Sequence, residues 1–157
     1  MLPKRKQTHL SNFDYANPHS IYFVTICAHE RQPYFLNKNV TKLIVDEIDY
    51  RVNVIREVSI PVYCIMPDHL HMLLKLQPIY GRTLQNWISA FKRYTAREIN
   101  DRFSIRPVWQ KNFYEHIVRK EESLENIVNY IVFNPVRKNL VKDWCEYPYS
   151  KMSFEDF

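Results

Sequence analysis

Glycine is almost missing from this chain. Gly81 is the only one in 157 residues, and with Pro78 it marks one loop. Long apolar runs are missing too. No stretch of about eighteen apolar residues occurs, so no membrane span is expected. The basic start, Met1-Leu2-Pro3-Lys4-Arg5-Lys6, lacks a following apolar region, which argues against a secretory signal and makes a cytoplasmic location the expectation. Cysteine is scarce and odd in number. Cys27, Cys64 and Cys145 lie far apart, which supports neither a disulfide framework nor a cysteine-based zinc site. There is no internal repeat, low-complexity tract or linker.

What is present fits a single globular domain over residues 1–157. Apolar residues make up 46% of the chain, enough for a real core. Lysine and arginine number 22 against 17 acidic residues, a net charge of +5. Aromatics reach 15%, with eleven tyrosines. Cations offset phosphate charge and flat rings stack on bases, so the balance is compatible with nucleic acid. It does not demand one, since most tyrosines are packing residues with a wet hydroxyl.

Residues 1–18 are polar with two prolines and read as an irregular arm. Ile21 to Cys27, rich in β-branched and aromatic residues, reads as a strand. Val40, Leu43, Ile44, Ile48 and Val52 recur at helical spacing and predict a helix over about 38–56. Val58 to Ile65 predicts a second strand, with Pro61 marking an edge or a bulge. Met66-Pro67-Asp68 reads as a turn into a third, antiparallel strand, His69 to Leu76. Thr83 is an N-cap candidate for a helix from Leu84 to about Phe103. Phe113 to Val118 reads as a fourth strand, and a third helix is expected from about Glu121 to Asn134. Residues 136–157 read as an irregular tail packed on the domain. Strand, helix, strand, strand, helix, strand gives an α+β fold, a ferredoxin-like sandwich (βαββαβ) with an antiparallel sheet, helices on one face and an additional C-terminal helix.

His69 and His71 are the most informative pair. Strand side chains alternate faces, so both imidazoles emerge together with Leu70 turned away. Two adjacent imidazoles suit two neighbouring positions on a divalent metal; two structural histidines sharing a face is the bland alternative. Asp68 can orient a ring from behind or simply cap the turn. Tyr130 and Asn134 are four apart on a helix and would face the same way. A phenol can attack a phosphodiester, and an amide oxygen can complete a metal site that polarises the phosphate. Against this, an arbitrary helical tyrosine is usually a packing residue, and Asn134 precedes Pro135, which pushes it away from helical angles. Lys92, Arg93 and Arg97 on one helix, and Arg119 and Lys120 after the fourth strand, are phosphate-contact candidates or solvated faces.

These pieces together resemble the single-tyrosine HUH transposases, in particular the REP-associated tyrosine transposase branch. The resemblance is carried by Tyr22-Phe23-Val24-Thr25, Met66-Pro67-Asp68-His69-Leu70-His71, Phe91-Lys92-Arg93-Tyr94-Thr95, Val108-Trp109-Gln110, Tyr114-Glu115-His116-Ile117-Val118-Arg119 and Tyr130-Ile131-Val132-Phe133-Asn134-Pro135-Val136. It implies that His69, His71 and Asn134 bind a divalent cation, Mg2+ or Mn2+, and that Tyr130 is the nucleophile. It also implies cleavage of single-stranded DNA beside a hairpin, through a 5′-phosphotyrosine link and a free 3′-hydroxyl. The run after Asn134-Pro135 departs from the family, which often has a small residue and glycine there. Asn139 can adopt the left-handed conformation in glycine's place, and Arg137 and Lys138 add positive charge near the site. Relatives can be dimers, so the resemblance also admits a homodimer. Two other readings stay open: a non-cleaving ferredoxin-like nucleic-acid-binding protein, and a His-x-His metal hydrolase.

Overall fold

The computed structural model describes residues 10–155 and 157. The first half of the expected arm, residues 1–9, lies outside the described residues; residues 10–20 are turns without regular structure. The elements are β1 (Tyr22–Cys27), α1 (Lys38–Asp49), β2 (Val58–Met66), β3 (His69–Leu76), α2 (Leu84–Phe103), β4 (Tyr114–Ile117), α3 (Leu124–Val132), α4 (Asn134–Arg137) and β5 (Ser150–Met152). The sheet is five-stranded in the order β4-β1-β3-β2-β5, and every pairing in it is antiparallel. The first four strands therefore make the ferredoxin-like βαββαβ arrangement.

Side-chain alternation divides the sheet into two faces. One face carries Tyr22, Val24, Ile26, Tyr63, Ile65, Leu70, Met72 and Leu74, and packs against Ile44 and Ile48 of α1 and Trp87, Phe91 and Ile99 of α2. The other carries Val62, Cys64, Met66 and Leu73, and packs against Val128, Ile131 and Val132 of α3. Helices thus cover both faces: two long ones on the first, and the additional C-terminal helix on the second.

Local chemistry explains the boundaries. Asn37 caps α1, accepting from the Asn39 backbone N–H, and a π-helical turn, Tyr50–Ile55, extends that helix to a left-handed Arg56. Thr83 caps α2 in a reciprocal box with Asn86. Pro61 sits in a bulge, where the β2–β3 register shifts between Ser59 and Val62. Before the bulge Val58 and Ile60 face the two-helix core; after it Tyr63 and Ile65 do. Pro67 and Asp68 make a two-residue turn between Met66 and His69, which pair across it.

Two expectations need correction. The third helix does not begin at Glu121 or continue through Asn134. Ser123 caps it, accepting from the Asn126 N–H at 3.2 Å, so it starts at Leu124. It ends at Val132, because Phe133 leaves helical geometry (φ −84°, ψ 0°), and α4 restarts at Asn134 with Pro135 in its first turn. Proline at a helix start loses no hydrogen bond, so the break falls one residue before Asn134 instead of at it. The tail is not wholly irregular either. Ser150–Met152 form a fifth strand on β2, because the half of β2 beyond the bulge would otherwise be a bare edge. Asn139 is left-handed (φ 58°) as expected, and the turn closes with Leu140 N–H donating to Pro135 O at 2.9 Å. Among the described residues no helix is long and apolar enough to cross a membrane.

Candidate active site

The site forms on the thinner face, where β3 meets α3 and α4. His69 and His71 leave β3 on the same side and are both 5% exposed. Their Nε2 atoms lie 3.1 Å apart. Each ring is held from behind: His69 Nδ1 is 2.6 Å from Asp68 Oδ1, and His71 Nδ1 is 2.7 Å from Thr25 Oγ1 on β1. Burial first, then the charges of His69, Arg137 and Arg31, push the His71 pKa down to about 3. It is a neutral imidazole at ordinary pH, the form that binds metal. Burial raises the Asp68 carboxyl, but the hydrogen bond to His69 and the charges of His69 and Arg31 outweigh it, and the net shift is downward.

Asn134, buried, arrives from the first residue of α4, with its amide Nδ2 at 3.4 Å from His69 Nε2. Rotating the amide puts its oxygen in that place. Tyr130 arrives from α3. Its ring centroid is 5.6 Å from that of His71 and 5.8 Å from that of Phe23, both edge to face. Tyr130 is 48% exposed, so a polynucleotide can reach it. Arg137 lies over the Tyr130 ring, Cζ to centroid 4.5 Å, and its Nη2 donates to the Tyr130 carbonyl at 2.6 Å. Tyr130 and Asn134 thus flank the same histidine pair, though from two helical segments.

The donor set fits a divalent cation. Two nitrogens each about 2.1 Å from a cation, and at right angles about it, lie about 3.0 Å apart, close to the observed separation. With no cation, two buried ring nitrogens face each other with at most a shared proton. Among the described residues no group of three or more His, Cys, Asp or Glu converges. The Asn134 amide, 3.4 Å from His69 Nε2, is a neighbouring donor of another type.

The basic candidates separate. Only Arg137 touches the site residues. Lys138, Arg119 and Lys120 are exposed. Arg93 and Arg97 line a groove of about 550 Å³ between α2 and residues 105–111, on the other side of the sheet, beside Arg106 and Lys111. Lys92 is turned inward. Its Nζ donates to the carbonyls of Gln110 (2.5 Å), Lys111 (3.1 Å) and Asn112 (3.5 Å), and burial lowers its pKa. Its work is to hold the 110–112 loop. Cys64 is inert, its thiol pushed up to about 12 by burial. Sequence reasoning gave no roles to Thr25, Phe23 and Arg31. Thr25 and Phe23 bear on the site through strand pairing (Thr25 opposite His71), which no periodicity reveals.

Residues 17–134 match the family model for IS200-like transposases. The chain belongs to that transposase family. Among its curated relatives is a putative REP-associated tyrosine transposase of Haemophilus influenzae, 32% identical over 99 residues, which are 55% of this chain and 54% of that protein. Another is the REP-associated tyrosine transposase of Escherichia coli K12, 26% identical over 95 residues, 60% of this chain and 54% of that one. The chain spans about half the length of these two relatives. Two solved structures share the transposase fold. A REP-associated tyrosine transposase bound to a REP hairpin superposes with a TM-score of 0.65 at 21% identity, covering 88% of this chain and 79% of that one. A putative transposase from Deinococcus radiodurans gives 0.51 at 16% identity, covering 74% and 88%.

Proposed function

We propose that this transposase-family protein cleaves single-stranded DNA and transfers the strand, with a divalent cation, through a covalent 5′-phosphotyrosine intermediate at hairpin-forming repeats. The observation that carries the reading is the meeting of a half-exposed Tyr130 with the His69, His71 and Asn134 donors. The relatives' REP-associated name, and a neighbour bound to a REP hairpin, support the substrate class.

His69 and His71 would hold the cation through Nε2, and Asn134 through its amide oxygen. Magnesium or manganese, when bound, polarises the scissile phosphate as a Lewis acid. Tyr130 attacks phosphorus as the phenol loses its proton, because a neutral phenol with a pKa near 10 is a poor nucleophile. The Tyr Oη–P bond forms and the P–O3′ bond breaks. The departing 3′-oxygen takes a proton and becomes a free hydroxyl. One phosphodiester replaces another, so the later attack by a 3′-hydroxyl reseals a strand without a nucleotide cofactor. Arg137, over the Tyr130 ring, places a cation where phosphate charge develops.

The test is incubation with labelled hairpin-bearing single strands and Mn2+, followed by a denaturing gel. A protein-linked band is expected with wild type and none with Tyr130→Phe. Binding without any covalent band in wild type would favour the non-cleaving nucleic-acid binder. Cleavage without a protein-linked intermediate would favour the hydrolase.

A further inference from the structure

Arg31 lies beside the site and outside every motif named above. It ends a short 3-10 turn, His29–Arg31, in which Glu30 (φ 50°) and Arg31 (φ 57°) are both left-handed. Neither is glycine or asparagine. Such a conformation is unfavourable for an ordinary residue, so two in succession persist only where the surroundings impose them. The imposing contacts are visible at the start of the turn. Ala28 N–H donates to Asp68 O at 2.8 Å, His29 N–H to Val108 O at 2.8 Å, and Gln110 N–H to Cys27 O at 2.9 Å.

The conformation delivers the Arg31 guanidinium to two acceptors. Nε is 3.0 Å from Asp68 Oδ2, and Nη1 donates to Cys27 Sγ at 2.9 Å. The other Asp68 oxygen, Oδ1, faces His69 Nδ1. Asp68 lies in a two-residue turn with its side chain 26% exposed, so its carboxylate would be free to rotate toward water if nothing held it. A carboxylate anchored through Oδ2 keeps Oδ1 on the ring. It then accepts a hydrogen bond from Nδ1–H and leaves Nε2 with its lone pair. Thr25 holds the Nδ1 of His71 in the matching position.

We propose that Arg31 is a positioning residue for the metal centre: it fixes Asp68 so that His69 stays protonated on Nδ1 and presents Nε2 to a divalent cation. The inference deepens the proposed function and rests on its metal reading. A ligand histidine held through its far nitrogen by a carboxylate loses about 10–100-fold in metal affinity when that support is removed.

The experiment uses the full chain and Arg31→Gln, Arg31→Lys, Asp68→Asn and Arg31→Gln/Asp68→Asn variants. Mn2+ affinity is read from the EPR signal of the free ion, the His69 tautomer from long-range proton–nitrogen NMR of the metal-free protein, and folding from thermal melts. Arg31→Gln should weaken Mn2+ binding at least tenfold and move His69 from a single Nδ1–H tautomer to a mixture, with the fold retained. Arg31→Lys should recover part of the loss. Adding Arg31→Gln to Asp68→Asn should cost little more, because the arginine acts through the carboxylate. Affinity within twofold of wild type with an unchanged tautomer would overturn the proposal, as would losses that multiply in the double variant. So would a weakening confined to metal-free hairpin binding, which would make Arg31 a phosphate contact. A wild type that takes up no Mn2+, while Arg31→Gln still shifts the tautomer, would overturn the metal reading and leave the Arg31–Asp68–His69 relay standing.

Discussion

On the side facing α1 and α2, β3 contributes Leu70, Met72, Leu74 and Leu76, none more than 1% exposed. On the opposite side the same strand contributes Leu73 to a smaller cluster under α3 and carries the buried His69 and His71. The first face is roofed by helices of twelve and twenty residues, the second by one of nine and one of four. On the two-helix side the buried Arg51 pairs with Glu47 and, at 2.7 Å, with Glu57. On the α3 side His69 and His71 point nitrogens at one another and at an amide, an arrangement that a cation would complete. One face of the sheet is organised for cohesion and the other carries the proposed chemistry, and a single strand serves both because its residues alternate.

The contrast implies that changes on one face should leave the other's property intact. The largest effect is expected from Tyr130→Phe, which should cut covalent DNA adducts at least about a thousandfold, roughly 4 kcal/mol of barrier, with the melting temperature unmoved. A large loss of stability in that variant would break the separation. The reverse case is Trp87→Ala. Trp87 is fully buried and stacks on Phe91 at 5.3 Å, so truncation should cost about 3–5 kcal/mol in urea unfolding while the folded fraction still takes up Mn2+.

Asn134→Ala comes next. It should weaken Mn2+ binding about tenfold or more, about 1.4 kcal/mol, by calorimetric titration. An unchanged affinity would remove the amide from the ligand set. The pH response sharpens the comparison further. The His71 pKa of about 3 in the folded protein lies below the ordinary 6.5. Below that ordinary value the unfolded chain takes a proton that the native ring refuses. The stabilisation is therefore present above about pH 6.5 and lost as pH falls toward 3, at up to about 1.4 kcal/mol per pH unit. Metal-free wild type should lose stability between pH 6.5 and 5 more steeply than His71→Gln, as urea midpoints would show. The smallest effect is that of Thr83→Ala, which removes the cap of α2 and should lower stability by about 1 kcal/mol without touching metal or DNA binding.

Much of this was legible because periodicity is local. The β3 alternation placed both imidazoles on one side, the 3.6-residue repeat in 84–103 gave α2 to the residue, and Thr83 announced its start. Asn139 could be assigned a left-handed turn because it can stand in for the glycine that the resembled family often has after Asn-Pro, and asparagine visits that conformation more readily than most residues. The rest depended on contacts distant in sequence. Nothing in Lys92 itself tells that residues 110–112 will offer it three carbonyls, so its face read as solvated or phosphate-binding. Arg31 sits in a stretch without periodicity, and its partner Asp68 is 37 positions away by their residue numbers. The start of α3 was placed too early because the acidic residues at 121 and 122 suit a helix N-terminus, whereas the Ser123 hydroxyl fixes the cap. The fifth strand escaped notice because three residues carry too little pattern.

The kink at Pro61 acts as a phase shifter. Upstream of it even-numbered residues of β2 point into the dry interior; downstream the odd-numbered ones do. Remove one residue there and the downstream half would either roll over or slide. Rolling would bring Cys64 and Met66 to the wrong side, stripping α3 of its floor. Sliding would unseat β5, because the next residue, Ser153, donates its amide to the Pro61 carbonyl at 2.7 Å. A single misfit in the ladder thus keeps the two sides of the sheet from trading places.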